Sequence, residues 1–210
     1  MKRMMGFTLV EIAVVLIIIG LLLGGVLKGQ ELIVQAKIRN AVTDLNGVTA
    51  AVYGYQDRYR QVPGDDNTAA ARWPAVGTIS AAGNGDGNRV VGATLTAAAA
   101  CAPIGTGENC LFWNHLRRSG LIIGDLVSAE SPLNSSGGYL HTQTGAFGST
   151  VLVVCATNLS GKIAGAIDTQ IDDGNPTRGT VRAGTGLATD TAAAAYVDDG
   201  NATYTLCKAI

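Results

Sequence analysis

The sequence predicts an α+β protein in which one long N-terminal helix carries a head of antiparallel strands and short helices. Three observations lead to this prediction: an unbroken apolar segment near the N-terminus, a helical repeat of apolar residues directly after it, and β-rich segments with cysteines in the second half. The 210 residues are 47% hydrophobic but only 15% charged, with a net charge of −1. Because a soluble domain is about 25% charged, the apolar content points to one concentrated segment.

That segment covers residues 7–27, reads FTLVEIAVVLIIIGLLLGGVL, and contains Glu11 as its single ionisable side chain. As a helix it would be roughly 31 Å long, which matches a hydrocarbon core of about 30 Å. It is longer than the apolar stretch of a secretory signal, about 7 to 15 residues, and no small-residue cleavage site follows it. We therefore expect a retained anchor, with Lys2 and Arg3 in the cytoplasm and the chain after Lys28 across the membrane.

Glu11 makes this anchor unusual, because a carboxylate inside an apolar helix costs about 2.5 to 3.5 kcal/mol on insertion scales. A free amine at the start of a neighbouring helix would offset that cost if the chain were cut just before the apolar segment. Residues 2–11, KRMMGFTLVE, provide such a point between Gly6 and Phe7. This stretch closely resembles the leader and cleavage site of the type IV pilin superfamily, which includes type IV pilus subunits and type II secretion pseudopilins.

The resemblance implies cleavage after Gly6 by a prepilin peptidase, N-methylation of Phe7, and pairing of Glu11 with the Phe7 amine of an adjacent subunit. It further implies a structural subunit, not an enzyme, that an inner-membrane assembly platform packs with other pilin subunits into a filament. The protein would first span the bacterial inner membrane once, with a cytoplasmic N-terminus and a periplasmic head, and would reach the cell surface in the pilus. Alternatives within the superfamily are a type II secretion pseudopilin that forms a periplasmic piston, a competence pilin that takes part in DNA uptake, and a minor adhesive subunit.

Four segments follow from these boundaries: a leader at 1–6, a membrane or filament-core helix at 7–27, its amphipathic continuation at 28–61, and a globular head at 62–210. Apolar residues recur every three or four positions from Ile38 to Tyr59, which is typical of a helix with one buried face. Pro63 cannot continue that helix. Many pilins carry a proline near the position of Lys28, and this chain has none there.

The head is predicted to contain short elements around a variable loop region. A turn at 63–67 leads to a helix at 68–72 with Asp or Asn as its cap, and the Gly- and Ala-rich stretch 76–107 reads as a surface loop. Helical spacing appears at 111–121 and 163–171, and strands are expected at 149–156, 179–183 and 202–208.

The head carries four cysteines, at 101, 110, 155 and 207, which in an oxidising compartment predict two disulfides. Three connectivities are possible. Cys101 with Cys110 would close a short loop, and Cys155 and Cys207 lie on two predicted strands that a bridge can join when they are neighbours. We favour this pairing, which resembles the way pilins tie the C-terminal strand to the sheet.

Two acidic repeats, Asp172-Asp173-Gly174-Asn175 and Asp198-Asp199-Gly200-Asn201, resemble the calcium loops of some major pseudopilins. Asp-Gly is equally a strong hairpin signal, so we favour turns and keep calcium as the alternative. Residues 84–88, NGDGN, start like an EF-hand but have Arg89 where that loop needs glycine.

No residue pattern builds an active site or a metal centre, and no cofactor is expected apart from this calcium alternative. His115 and His141 are isolated and are predicted to be surface or hydrogen-bonded side chains. Removing Lys2 and Arg3 leaves 13 of the 15 basic residues against 16 acidic ones, a net charge of −3, which argues against a nucleic-acid partner.

Overall fold

The computed structural model of the chain describes residues 9–76, 80–92, 101, 107–185 and 191–210. The elements are four helices, α1 (Leu9–Tyr59), α2 (Ala69–Arg72), α3 (Glu108–Arg118) and α4 (Gly161–Ile171), and four strands, β1 (Leu140–Thr144), β2 (Leu152–Ser160), β3 (Val181–Thr185) and β4 (Thr203–Ala209). The α+β class is confirmed. Residues 1–37 and 38–210 form two separate compact units.

The four strands form one antiparallel sheet in the order β1-β2-β4-β3. Its central pair, β2 and β4, brings Cys155 directly opposite Cys207, with 3.9 Å between their Cα atoms. The structure contains the Cys155–Cys207 disulfide and also the Cys101–Cys110 disulfide, which ties the residue at 101 to α3. The C-terminal strand is thus bound covalently to the centre of the sheet.

The C-terminal half of α1 packs into the head through the predicted apolar face, of which Ile38, Ala41, Leu45, Val48, Val52 and Tyr55 are buried. Ala51, which the pattern did not include, is buried as well. Lys208 of β4 donates a hydrogen bond from Nζ to Thr49 Oγ1 of α1 at 2.9 Å. From Ile38 onward, the helix and the antiparallel sheet belong to one compact unit with a disulfide at the centre of the sheet. A long N-terminal helix with such a sheet is consistent with a pilin-like fold.

The expected cap at 65–67 is wrong. α2 begins at Ala69 with Thr68 as its N-cap residue, whose side chain makes no capping hydrogen bond, and the Ala70 amide instead donates to Asn84 Oδ1 at 2.8 Å. Asp66 Oδ1 accepts hydrogen bonds from the amide and hydroxyl of Thr68, and its other oxygen, Oδ2, binds side chains of α1 and α2. His115 and His141 are both buried. The prediction of a surface or hydrogen-bonded side chain is confirmed for His115, which is hydrogen-bonded, whereas Nε2 of His141 has no hydrogen-bond partner among the described residues.

Candidate functional site

The N-terminal part of α1 is apolar and exposed. Among the described residues, α1 is the one helix long and apolar enough to cross a membrane; its most apolar window has a mean hydropathy of 2.8 and no buried residue. Many large apolar side chains of residues 9–33 are exposed, including Leu9, Leu16, Ile17, Leu21, Leu22, Leu23 and Leu27. A contiguous apolar surface of this kind marks a site that contacts lipid or protein.

Glu11 lies in the first turn of the described helix and is the acidic residue of this apolar stretch. Gly6 and Phe7, the predicted processing residues, lie outside the described residues. The next charged pair along the helix is Lys28 and Glu31, whose Nζ and Oε2 atoms are 2.7 Å apart on an exposed face. Cleavage, methylation and the role of Glu11 stay predictions.

Four glycines interrupt this apolar surface at positions 20, 24, 25 and 29. A Cβ atom built on any of them meets nothing within 4 Å, so the described chain gives no steric reason for glycine there. Each glycine costs about 1 kcal/mol of helix propensity relative to alanine. Small residues spaced four apart, as at 20 and 24 or 25 and 29, allow close approach of two helices in a membrane.

At its other end, α1 is held to the head by the buried carboxylate of Asp66, which the sequence indicated only as a helix cap. Tyr55 of α1 donates its hydroxyl to Asp66 Oδ2 at 2.6 Å, and Arg72 of α2 forms an ion pair with the same oxygen. Burial alone would raise the pKa of Asp66, but hydrogen bonds from Tyr55, Arg72 and Thr68 outweigh it and lower that pKa to about 2. The Arg72 guanidinium also lies 4.2 Å from the ring centroid of Tyr59.

His115 joins three segments next to this carboxylate. Its Nδ1 accepts a hydrogen bond from the Gly64 amide at 2.9 Å, and its Nε2 lies 2.8 Å from the Gly83 carbonyl oxygen. With these partners the neutral ring donates from Nε2 and accepts at Nδ1. Burial lowers the pKa of His115, so the ring stays neutral and holds α3 against both loops.

The NGDGN loop at 84–88 is held in place by carboxylates, which accept hydrogen bonds from its backbone amides. Asp65, fully buried, accepts backbone hydrogen bonds from Gly87, Asn88 and Arg89. A Cβ atom at Gly85 would lie 2.3 Å from the Asp65 Cα, so the loop passes too close for any other residue. Asp65, Asp86 and Glu108 have carboxylate oxygens within 4.8 Å of one another, and the chain's own amides already occupy them.

The two acidic repeats have different surroundings. Asp172 and Asp173 join Asp168 in a cluster of carboxylates, whereas Asp198 and Asp199 belong to neither such cluster among the described residues. In the first repeat, Asp172 Oδ2 accepts from the Thr180 and Val181 amides, and Asp173 pairs with Arg178 at 3.2 Å. In the second repeat, Asp199 Oδ1 accepts from the Asn201 and Ala202 amides and closes a turn.

We expect the Asp168–Asp172–Asp173 cluster to bind no calcium, because each carboxylate already accepts hydrogen bonds or an ion pair from the chain. Isothermal titration of calcium into the detergent-solubilised full chain should then give no heat beyond dilution, and the melting temperature should not change. A calcium-dependent rise in melting temperature that Asp172→Asn abolishes would restore the calcium hypothesis. Asp199→Asn is the matched control, since it alters the other repeat and keeps an acceptor oxygen.

His141 on β1 is expected to make the fold sensitive to acid. Its Nε2 has no hydrogen-bond partner among the described residues, and burial lowers its pKa from 6.5 to about 4. The unfolded chain takes up its proton first, so the contribution of His141 is fully present above pH 6.5 and is lost as the pH falls to 4. The loss is on the order of 3 kcal/mol.

The measurement is the free energy of unfolding of the full chain and of His141→Phe at several pH values between 7 and 4. Carboxylates titrate equally in both proteins, so the difference between them isolates the histidine. A difference that does not change across this range would contradict the assignment.

Comparison with models of known protein families gives no match for this chain, and comparison with curated protein sequences gives none either. The candidate site is therefore defined by its residues: the exposed apolar part of α1 with Glu11 at its start and glycines along it, joined in one helix to residues that the head buries.

Proposed function

We propose that this chain is a pilin-like filament subunit. A prepilin peptidase removes residues 1–6 and methylates the Phe7 amine, and an inner-membrane assembly platform packs the apolar helices of many copies into a filament core. The head at 62–210 then covers the outside of the filament. Before assembly the same apolar helix holds the subunit in the membrane.

The observation that carries the proposal is the exposed apolar stretch of α1 that follows a pilin-like leader. In its 18-residue apolar window no residue is buried by the rest of the chain, so lipid or other subunits must cover it. The glycines at 20, 24, 25 and 29 support covering by other helices, because the described part of the chain gives no steric reason for them. Glu11 adds a charge that an apolar environment tolerates only with a partner.

Intact mass and N-terminal analysis of the full chain, extracted from the membranes of cells that contain a prepilin peptidase, test the proposal. We expect a chain that begins with N-methylated Phe7. Gly6→Val, which removes the small residue before the cleavage point, should retain Met1 and serves as the matched control. A wild-type chain that begins at Met1 would contradict the processing and with it the proposed function.

A further inference from the structure

A groove lined by two arginines lies where α1 ends. Its volume is about 430 Å³, and Gln56, Arg60, Gln61, Val62 and Arg89 line it. Both arginines are exposed, whereas Gln56, Gln61 and Val62 are half-buried. The groove is therefore polar and positively charged, on a chain whose net charge is −1.

Both arginines have strained backbones. Arg60 has a φ of 58° and Arg89 a φ of 66°, in the left-handed region. This conformation is sterically unfavourable for a residue other than glycine. The helix end at Arg60 and the loop at Arg89 would both be relieved by glycine, so backbone geometry does not explain arginine at either position. Strain that a fold retains is commonly found where a side chain has a function.

The two guanidinium groups have little to bind in their own chain. Arg89 makes no side-chain hydrogen bond or ion pair with any described residue, and Arg60 reaches only Asp57, at 3.9 Å, where both side chains are highly exposed. Arginine binds carboxylates in a bidentate geometry, and the amides of Gln56 and Gln61 can donate to and accept from a peptide backbone. The chemistry of the groove fits an acidic peptide turn.

The same head presents such a turn at Asp198–Asn201. Asp198 and Asp199 are both exposed, and Asp198 has no side-chain partner within the described part of the chain. Asp199 uses Oδ1 to hold the turn in shape, as described above. The other acidic repeat is less suited, because Asp172 accepts backbone hydrogen bonds and Asp173 pairs with Arg178.

We propose that the arginine groove receives the Asp198–Asn201 turn of a second copy of this chain. The proposal rests on the proposed function, since it describes how heads of neighbouring filament subunits contact each other. Groove and turn are different patches of one chain, so the contact is heterologous, and a heterologous contact that does not close into a ring produces an open helical assembly. The paired charges would set which neighbour docks and in what orientation.

Photo-cross-linking in assembled filaments of the full chain tests this contact. A benzophenone amino acid in place of Gln61 should form an interchain cross-link to the peptide around 196–202. Arg60→Glu combined with Arg89→Glu should lower its yield about tenfold, because two exposed attractive pairs become repulsive. Adding Asp198→Lys, which leaves the Asp199 turn intact, should recover a large part of the yield.

Glycine variants separate docking from folding. Arg60→Gly with Arg89→Gly removes both guanidinium groups and relieves the backbone strain, so the melting temperature should stay equal or rise while the cross-link is lost. An undiminished cross-link in this variant, or one to another peptide or another molecule, overturns the inference while the proposed function stands. A wild-type chain that keeps Met1 and forms no filament overturns both.

Discussion

Replacing Glu11 with alanine is expected to leave the chain in the membrane and to abolish its assembly into filaments. Insertion should not suffer, because alanine removes a carboxylate that costs about 2.5 to 3.5 kcal/mol in an apolar helix. Assembly should suffer, because in the proposed filament the variant would leave the Phe7 amine of the adjacent subunit buried without its counter-ion, at a cost of about 3 to 5 kcal/mol. Since about 1.4 kcal/mol is a factor of ten, each subunit contact would weaken more than a hundredfold.

The measurement compares the chain in the membrane fraction with the chain in filaments sheared from the cells. Glu31→Ala is the matched control, because Glu31 lies on the same helix in an exposed ion pair with Lys28, and such pairs contribute little. We expect Glu31→Ala to assemble as the wild type does. Filaments at wild-type yield from Glu11→Ala would exclude the role that we assign to Glu11.

The long helix could be predicted closely because its signals are local and repeated. An unbroken apolar stretch followed by a period of three to four residues defines α1, and Pro63 marks the region where it ends. β2, β3 and β4 were predicted within a few residues of their bounds by their apolar and β-branched composition. Placing Cys155 and Cys207 on two of those strands led to the pairing present in the structure.

β1 was not predicted because its residues look like those of a loop. Leu140–Thr144 reads LHTQT, and its middle residues His141, Thr142 and Gln143 are polar yet buried. These residues are buried because β1 pairs with β2 and the rest of the head covers it. Neither contact leaves a pattern in the local sequence. The prediction for His141, a surface or hydrogen-bonded side chain, missed its burial for the same reason.

The hydrogen-bonded cluster of Tyr55, Asp66 and Arg72 was also not predicted, since its three residues belong to different segments of the chain. Tyr55 was identified only as part of an apolar face, and Asp66 only as a helix cap. Their contact depends on the chain reversing at 63–66, so that a tyrosine hydroxyl on α1 and a guanidinium on α2 meet one carboxylate. The arginine groove was missed for a similar reason, because it forms between residues 60 and 89.

Replacing Asp66 with alanine is expected to give the largest loss of fold stability among single changes in the head, about 3 to 5 kcal/mol. The alanine leaves the Tyr55 hydroxyl buried without its acceptor and Arg72 without its counter-ion, and an unsatisfied buried group costs its full desolvation penalty. Urea unfolding of the detergent-solubilised full chain measures the effect, with Asp57→Ala, an exposed acid of α1, as the control that should leave the midpoint unchanged.

The charge of Asp66 predicts a second signature in the same experiment. Since its pKa in the fold is about 2, below the unfolded value near 3.9, its contribution is fully present above pH 4 and is lost as the pH falls toward 2. The difference in stability between the wild type and Asp66→Ala should therefore shrink in that range. Arg72→Met should also lower the free energy of unfolding less in the Asp66→Ala background than in the wild type, because the effects of neighbours in one network are not additive.

A loss of unfolding free energy below about 1 kcal/mol for Asp66→Ala, the size of one ordinary hydrogen bond, would show that the carboxylate does not hold α1 to the head.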